Sequence, residues 1–155
     1  MPPGADAPVA IRRALLLIER FEGLRLRPYL CPAGIWTIGL GSTRYLDGQP
    51  VRPTDPPITR EHAYALAVDQ LRRNYLPEVL RLCPDLGSFD AIAAVLSFAY
   101  NCGVAALRAS TFRRRLNSGD LPGARRELMK WVRGGGRVLP GLVLRREAEA
   151  RLLVA

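Results

Sequence analysis

A single histidine, His62, in 155 residues argues against zinc enzymes, which need two or three imidazoles around the metal. Lysine is scarcer than in ordinary chains, since Lys130 stands alone and 22 of the 23 cations are arginine. Cysteine is limited to Cys31, Cys83 and Cys102. Three thiols cannot all pair internally, and their spacing fits neither a zinc knuckle nor a CxxC motif, so free thiols in a reducing compartment are expected. No run approaches the ~20 apolar residues of a membrane span. The longest early apolar run, Ala14 to Ile18, ends at Glu19 and falls short of the roughly 7–15 residues of a signal-peptide core. The expectation is a protein made in the cytoplasm, with no signal peptide or membrane anchor.

What is present fits a folded protein, with 48% apolar and 24% charged residues. A chain of about 150 residues buries about two thirds of its unfolded surface and needs no staple, so a single domain over residues 1–155 is expected. The net charge of +9 is unevenly placed. Residues 108–155 hold twelve basic and four acidic groups, whereas residues 1–107 hold eleven and ten. A solvated basic face accounts for this, and so does a polyanionic partner, either nucleic acid or an anionic cell envelope.

Residues 9–22 read as a helix, with Ile11, Leu15, Ile18 and Glu22 at helical spacing and Gly23 as a stop. From Leu24 to Pro57, frequent glycine and proline punctuate short apolar runs, which predicts a small two- or three-stranded sheet with a turn at Asp47–Gly48. Thr59 is placed to cap a helix reaching about Arg81, bent at Pro77. Ser88 is placed to cap a helix through Ala99 that is buried all round. Three further helices are expected over Ser110–Asn117, Leu121–Val132 and Pro140–Leu153, with Gly134–Gly136 as a flexible joint. The fold class is α+β: a small antiparallel sheet lobe at about residues 22–58, and a larger helical lobe from residues 1–21 and 59–155.

Glu22 ends an apolar helix beside Phe21, where desolvation would raise its pKa toward the range of a general acid. Eight residues separate it from Cys31, and five more separate Cys31 from Thr37. A helix end followed by a tight hairpin brings all three to one cleft edge. Glycoside hydrolysis needs an acid on one side of the bond and a base, nucleophile or water-positioning group on the other. The same residues also fit an exposed helix-end glutamate, a small buried cysteine and a strand threonine.

Residues 21–43, FEGLRLRPYLCPAGIWTIGLGST, resemble the catalytic segment of the phage-type lysozymes, the endolysins of glycoside hydrolase family 24. That family carries Glu, eight residues, Asp or Cys, five residues, then Thr leading into a TIGxG run. Residues 97–120 are similar to its central helix and the turn that follows, and residues 131–147 to the start of its C-terminal helix. The resemblance covers all but the first ten residues and implies a mainly helical, lysozyme-like fold. It implies Glu22 as general acid, Cys31 where many members have aspartate, and Thr37 as the hydroxyl placing the attacking water. Gly41 of the TIGLG run, with Tyr100 and Asn101 at the end of the central helix, is implied to bind the saccharide. Ser42 departs from the histidine frequent after TIGxG, so any ion pair made there is absent.

The resemblance further implies a muramidase that cuts the β-1,4 bond between N-acetylmuramic acid and N-acetylglucosamine in peptidoglycan glycan strands. It would be a monomer with no cofactor and no metal. The basic C-terminal half would hold it to an anionic envelope, with no specific nucleic acid as partner. It would wait in the host cytoplasm until holin-type permeabilisation gives it access to the periplasm or wall. Three other readings compete: a lytic transglycosylase on the same bond, a wall peptidase using Cys31 with His62, and a non-catalytic basic binding module. Gly134–Gly136 lacks the strand and spacing of a nucleotide-binding loop. Arg113–Arg115 reads as a solvated helix face, and Trp36 and Trp131 read as core residues.

Overall fold

Local sequence signals place most helix ends in the computed structural model, which describes residues 8–154. Residues 1–7 and 155 of the expected domain lie outside the described residues. Helix α1 spans Val9–Glu22 and stops where Gly23 turns the chain at φ 77°. Its Ile11, Ala14, Leu15 and Ile18 are buried. Strands β1 (Arg25–Leu30) and β2 (Trp36–Gly39) form one antiparallel hairpin, pairing Tyr29 with Thr37 and Leu30 with Trp36. After β2, Ile38 and Ser42 exchange both backbone hydrogen bonds, at 2.8 and 2.9 Å. The reversal needs Gly39 and Gly41 at φ 70° and 98°, a region costly for any residue with a Cβ. Asp47 and Gly48 do form a turn, closing a bridge between Arg44 and Pro50.

Thr59 caps α2 (Arg60–Gln70) by accepting from the His62 N–H. The expected irregularity takes the form of a change of helical winding just ahead of Pro77. One wide turn, Leu71–Tyr75, precedes α3 (Leu76–Leu82), with the Leu76 N–H bonding back five residues to the Leu71 carbonyl. The proline ring crowds the carbonyl four residues before it, so the ladder widens on its N-terminal side.

Ser88 caps α4 (Phe89–Cys102), accepting from the Ala91 N–H, and the helix runs three residues past the expected end. Ala91 and Ala93 to Ala99 are all buried, as a central helix requires. It packs on α1 and α3, and also on α5 (Val104–Ala109) and α8 (Pro140–Arg151). Helix α5 has no counterpart in the sequence reading, because six residues are too few to display a period.

Ser110 caps α6 (Thr111–Asn117), and Asp120 caps α7 (Leu121–Leu128). Helix α7 ends four residues early because the expected joint is a hairpin, β3 (Arg133–Gly134) with β4 (Arg137–Val138). Its two-residue turn, Gly135–Gly136, has φ 60° and 80°, the conformation a tight hairpin demands. Trp131, expected in the core, is 36% exposed in the turn before that hairpin and rests edge-on against Phe98. Trp36 is half-buried against Ile38, Val51 and Leu66. The fold is thus mostly helical with a small antiparallel sheet.

Candidate active site

Glu22 is the last residue of α1, and the Gly23 turn delivers the next strand beside it. Its side chain is one quarter exposed. Arg145 of α8 donates from Nη1 to Glu22 Oε1 at 2.6 Å, and Arg145 itself is buried. The other oxygen, Oε2, faces Gly41: a Cβ built on Gly41 would stand 3.9 Å from it and 3.5 Å from the Tyr100 hydroxyl. The Gly39–Gly41 reversal therefore brings backbone close to the carboxylate where a side chain would intrude. Tyr100 secures that reversal by donating to the Leu40 carbonyl at 2.7 Å.

Three tyrosines surround the carboxylate. Burial, and then the Glu22 charge, pushes the phenols of Tyr29, Tyr75 and Tyr100 above their ordinary value, and all three remain neutral donors. Tyr75 and Tyr100 lie tilted against each other with centroids 5.4 Å apart. Beyond them opens a cleft of about 430 Å³, whose walls include Gly41, Tyr45, Gln70, Asn74, Tyr75 and Tyr100. The wide turn supplies Asn74 and Tyr75, so the irregularity ahead of Pro77 shapes the cleft wall.

Cys31 and Thr37 meet across the β1–β2 turn. The Cys31 N–H donates to the Ile35 carbonyl at 3.0 Å, and the Thr37 hydroxyl donates to the same carbonyl at 2.9 Å. Thr37 is buried and Cys31 half-exposed. Hydrogen bonding from the Ile35 backbone holds the thiol below its usual range, helped by the Ala33 backbone and the Thr37 hydroxyl. Tyr29, opposite Thr37 in the hairpin, lies in the field of both Glu22 and Cys31. Asn101 is exposed, and its side-chain oxygen accepts from Arg146 Nη2 at 2.7 Å. Ser42 is fully buried behind the reversal. Tyr45 lies near His62, which lines a separate hollow with Asp55 and Pro57. Among the described residues no group of three His, Cys, Asp or Glu side chains is arranged to hold a metal ion.

The sequence reading missed Arg145, together with Ser97, Arg146 and Glu149 behind it. It assigned the C-terminal cations to a solvated face or a polyanion, yet Arg145 and Arg146 are 2% and 0% exposed. Spacing held the available signal: arginines at 145 and 146 with a glutamate four and three residues on share one helix face.

The family model for phage lysozyme matches residues 19–149. An endolysin from Acyrthosiphon pisum secondary endosymbiont phage 1 is 38% identical over 146 residues, covering 90% of this chain and 94% of that protein. Among solved structures, the endolysin from Escherichia coli O157:H7 phage FAHEc1 superposes with a TM-score of 0.82 at 32% identity, covering 92% of this chain and 91% of that one. The muramidase domain of SpmX from Asticaccaulis excentricus gives 0.74 at 30% identity, covering 93% and 96%.

Proposed function

Because the chain belongs to the phage lysozyme family, we propose that it is an endolysin, a muramidase that lyses the host by hydrolysing the β-1,4 bond between N-acetylmuramic acid and N-acetylglucosamine in peptidoglycan. The observation that carries this reading is the placement of Glu22: one carboxylate oxygen is tied to Arg145, and the other faces Gly41 beside the cleft. A general acid needs this division, with one oxygen fixed and one free to hold a proton against the glycosidic oxygen. Glu22 protonates the leaving group. Cys31 and Thr37 act on the far side, orienting water and stabilising the oxocarbenium-like state. Gly41 admits the sugar, while Tyr100 and Asn101 support the saccharide site at the end of α4.

Residues 22–58 serve as the smaller lobe and the flanking helices as the larger lobe of one domain acting as a monomer. Among the described residues no helix is long and apolar enough to cross a membrane. The protein waits in the host cytoplasm until holin-type permeabilisation opens the way, and its basic surface then concentrates it on the anionic envelope.

The test is Glu22→Gln, which keeps the side chain's shape. Clearing of a peptidoglycan suspension falls at least ~100-fold, the scale of lost general-acid catalysis, with an unchanged circular dichroism spectrum. Wild-type clearing by this variant would remove Glu22 from the mechanism.

A further inference from the structure

Behind Glu22 lie charges that a glycosidic cleavage does not itself employ. Glu149 and Arg146 are fully buried, and Arg145 nearly so. The Ser97 hydroxyl donates to Glu149 Oε1 at 2.7 Å, and Arg145 Nε reaches Ser97 Oγ at 3.3 Å and that same carboxylate oxygen at 3.4 Å. Arg145 Nη2 donates to the Ser97 carbonyl at 3.2 Å. Arg146 Nε pairs with Glu149 Oε2 at 3.0 Å, while its Nη2 donates to Asn101. Burial pushes the Glu149 carboxyl up, opposed first by Arg146, then by the Ser97 hydroxyl and Arg145.

Such a cluster gains little stability over apolar packing of the same volume, because each ion must leave water. It does fix direction. A guanidinium is planar and rigid, so holding Nε and Nη2 on one side determines where Nη1 points. Here Nη1 points at Glu22 Oε1.

We propose that Glu149, with Ser97, is a positioning residue for catalysis, acting through Arg145 to set which oxygen of Glu22 faces the cleft. The inference rests on Glu22 being the general acid. Arg146 anchors Glu149 to the end of α4, so α4 and α8 together hold the arginine that orients a carboxylate on α1.

The test measures kcat and KM on soluble, uncrosslinked glycan strands for Glu149→Gln and Ser97→Ala, with a double-mutant cycle against Arg145→Lys. Glu149→Gln retains the shape and one acceptor oxygen. It is expected to lower kcat at least tenfold with KM within twofold of wild type, and Ser97→Ala to lower kcat in the same sense but less. In the Arg145→Lys background the Glu149→Gln effect largely disappears, since the path to Glu22 is already altered. Unchanged kcat in both variants, or effects that add fully with Arg145→Lys, would overturn the proposal. If Glu149→Gln does not fold, Ser97→Ala and its cycle decide the matter. Glu22→Gln run alongside separates the two readings: if it stays active the general-acid assignment fails, and if it is dead while both positioning variants match wild type only this inference fails.

Discussion

Cys31 differs from the other two cysteines in the state of its thiol. Backbone hydrogen bonding at the hairpin turn holds Cys31 below the ordinary value, whereas burial pushes Cys102 up and Cys83 up to about 11. A lowered pKa enlarges the thiolate fraction at neutral pH, and the thiolate is the reactive form. Iodoacetamide at pH 7 should therefore alkylate Cys31 first, mapped by peptide mass spectrometry, and clearing should fall as that adduct accumulates. Likewise, Cys31→Ser should impair turnover more than Cys83→Ser or Cys102→Ser, and equal rates would reduce Cys31 to packing. Arg145 carries a stability prediction as well. Arg145→Ala leaves Glu149 buried with one partner fewer and should cost about 3–5 kcal/mol in urea unfolding. The local part of the candidate site was legible because only sixteen consecutive residues run from Glu22 to Thr37 and a hairpin sets Cys31 beside Thr37. Arg145 was not: it meets Glu22 across 123 residues of chain, and no local pattern encodes that encounter.

At the scale of elements, polar residues at helix starts were the dependable signal. Thr59, Ser88 and Ser110 each accept the backbone N–H that their position implies. Ser88→Ala should cost about 1 kcal/mol, seen as a lower urea midpoint at unchanged slope. Glycine was read less well. The run at residues 134–136 looked like a hinge, yet two of its members make the turn of a paired hairpin. Gly136→Ala should then destabilise by roughly 1–2 kcal/mol, the cost of a Cβ at positive φ, whereas a flexible joint would tolerate it. Pro77 foretold an irregular helix but not its form: the ring widens the turn upstream of it, and that turn lines the cleft.

For the whole molecule, charge and fold act on different steps. The C-terminal third carries most of the +9 excess, but Arg145 and Arg146 are internal, paired with Glu22 and Asn101. Several exposed cations are paired nearby, as Arg115 is with Asp120 and Lys130 with Glu127. On the proposed reading the unbalanced remainder attracts an anionic envelope through a field that salt screens, with the Debye length shrinking from about 30 Å at 0.01 M to 8 Å at 0.15 M. Raising salt across that range should slow the clearing of whole permeabilised cells while leaving cleavage of short soluble glycan fragments nearly constant. Equal sensitivity of both would place the salt effect in the cleft. The α+β architecture was legible as a change in texture near residues 24 and 57, whereas the route of the buried ion cluster through α1, α4 and α8 required the packed chain.

The most direct measurement is mass spectrometry of purified peptidoglycan digested by the wild type and by Glu22→Gln. Muropeptides ending in free reducing N-acetylmuramic acid, present for the wild type and lost in the variant, are the predicted result. Anhydro ends would make the enzyme a transglycosylase, and cut peptide stems on intact glycan would move the chemistry to Cys31; either would contradict hydrolysis with Glu22 as the acid.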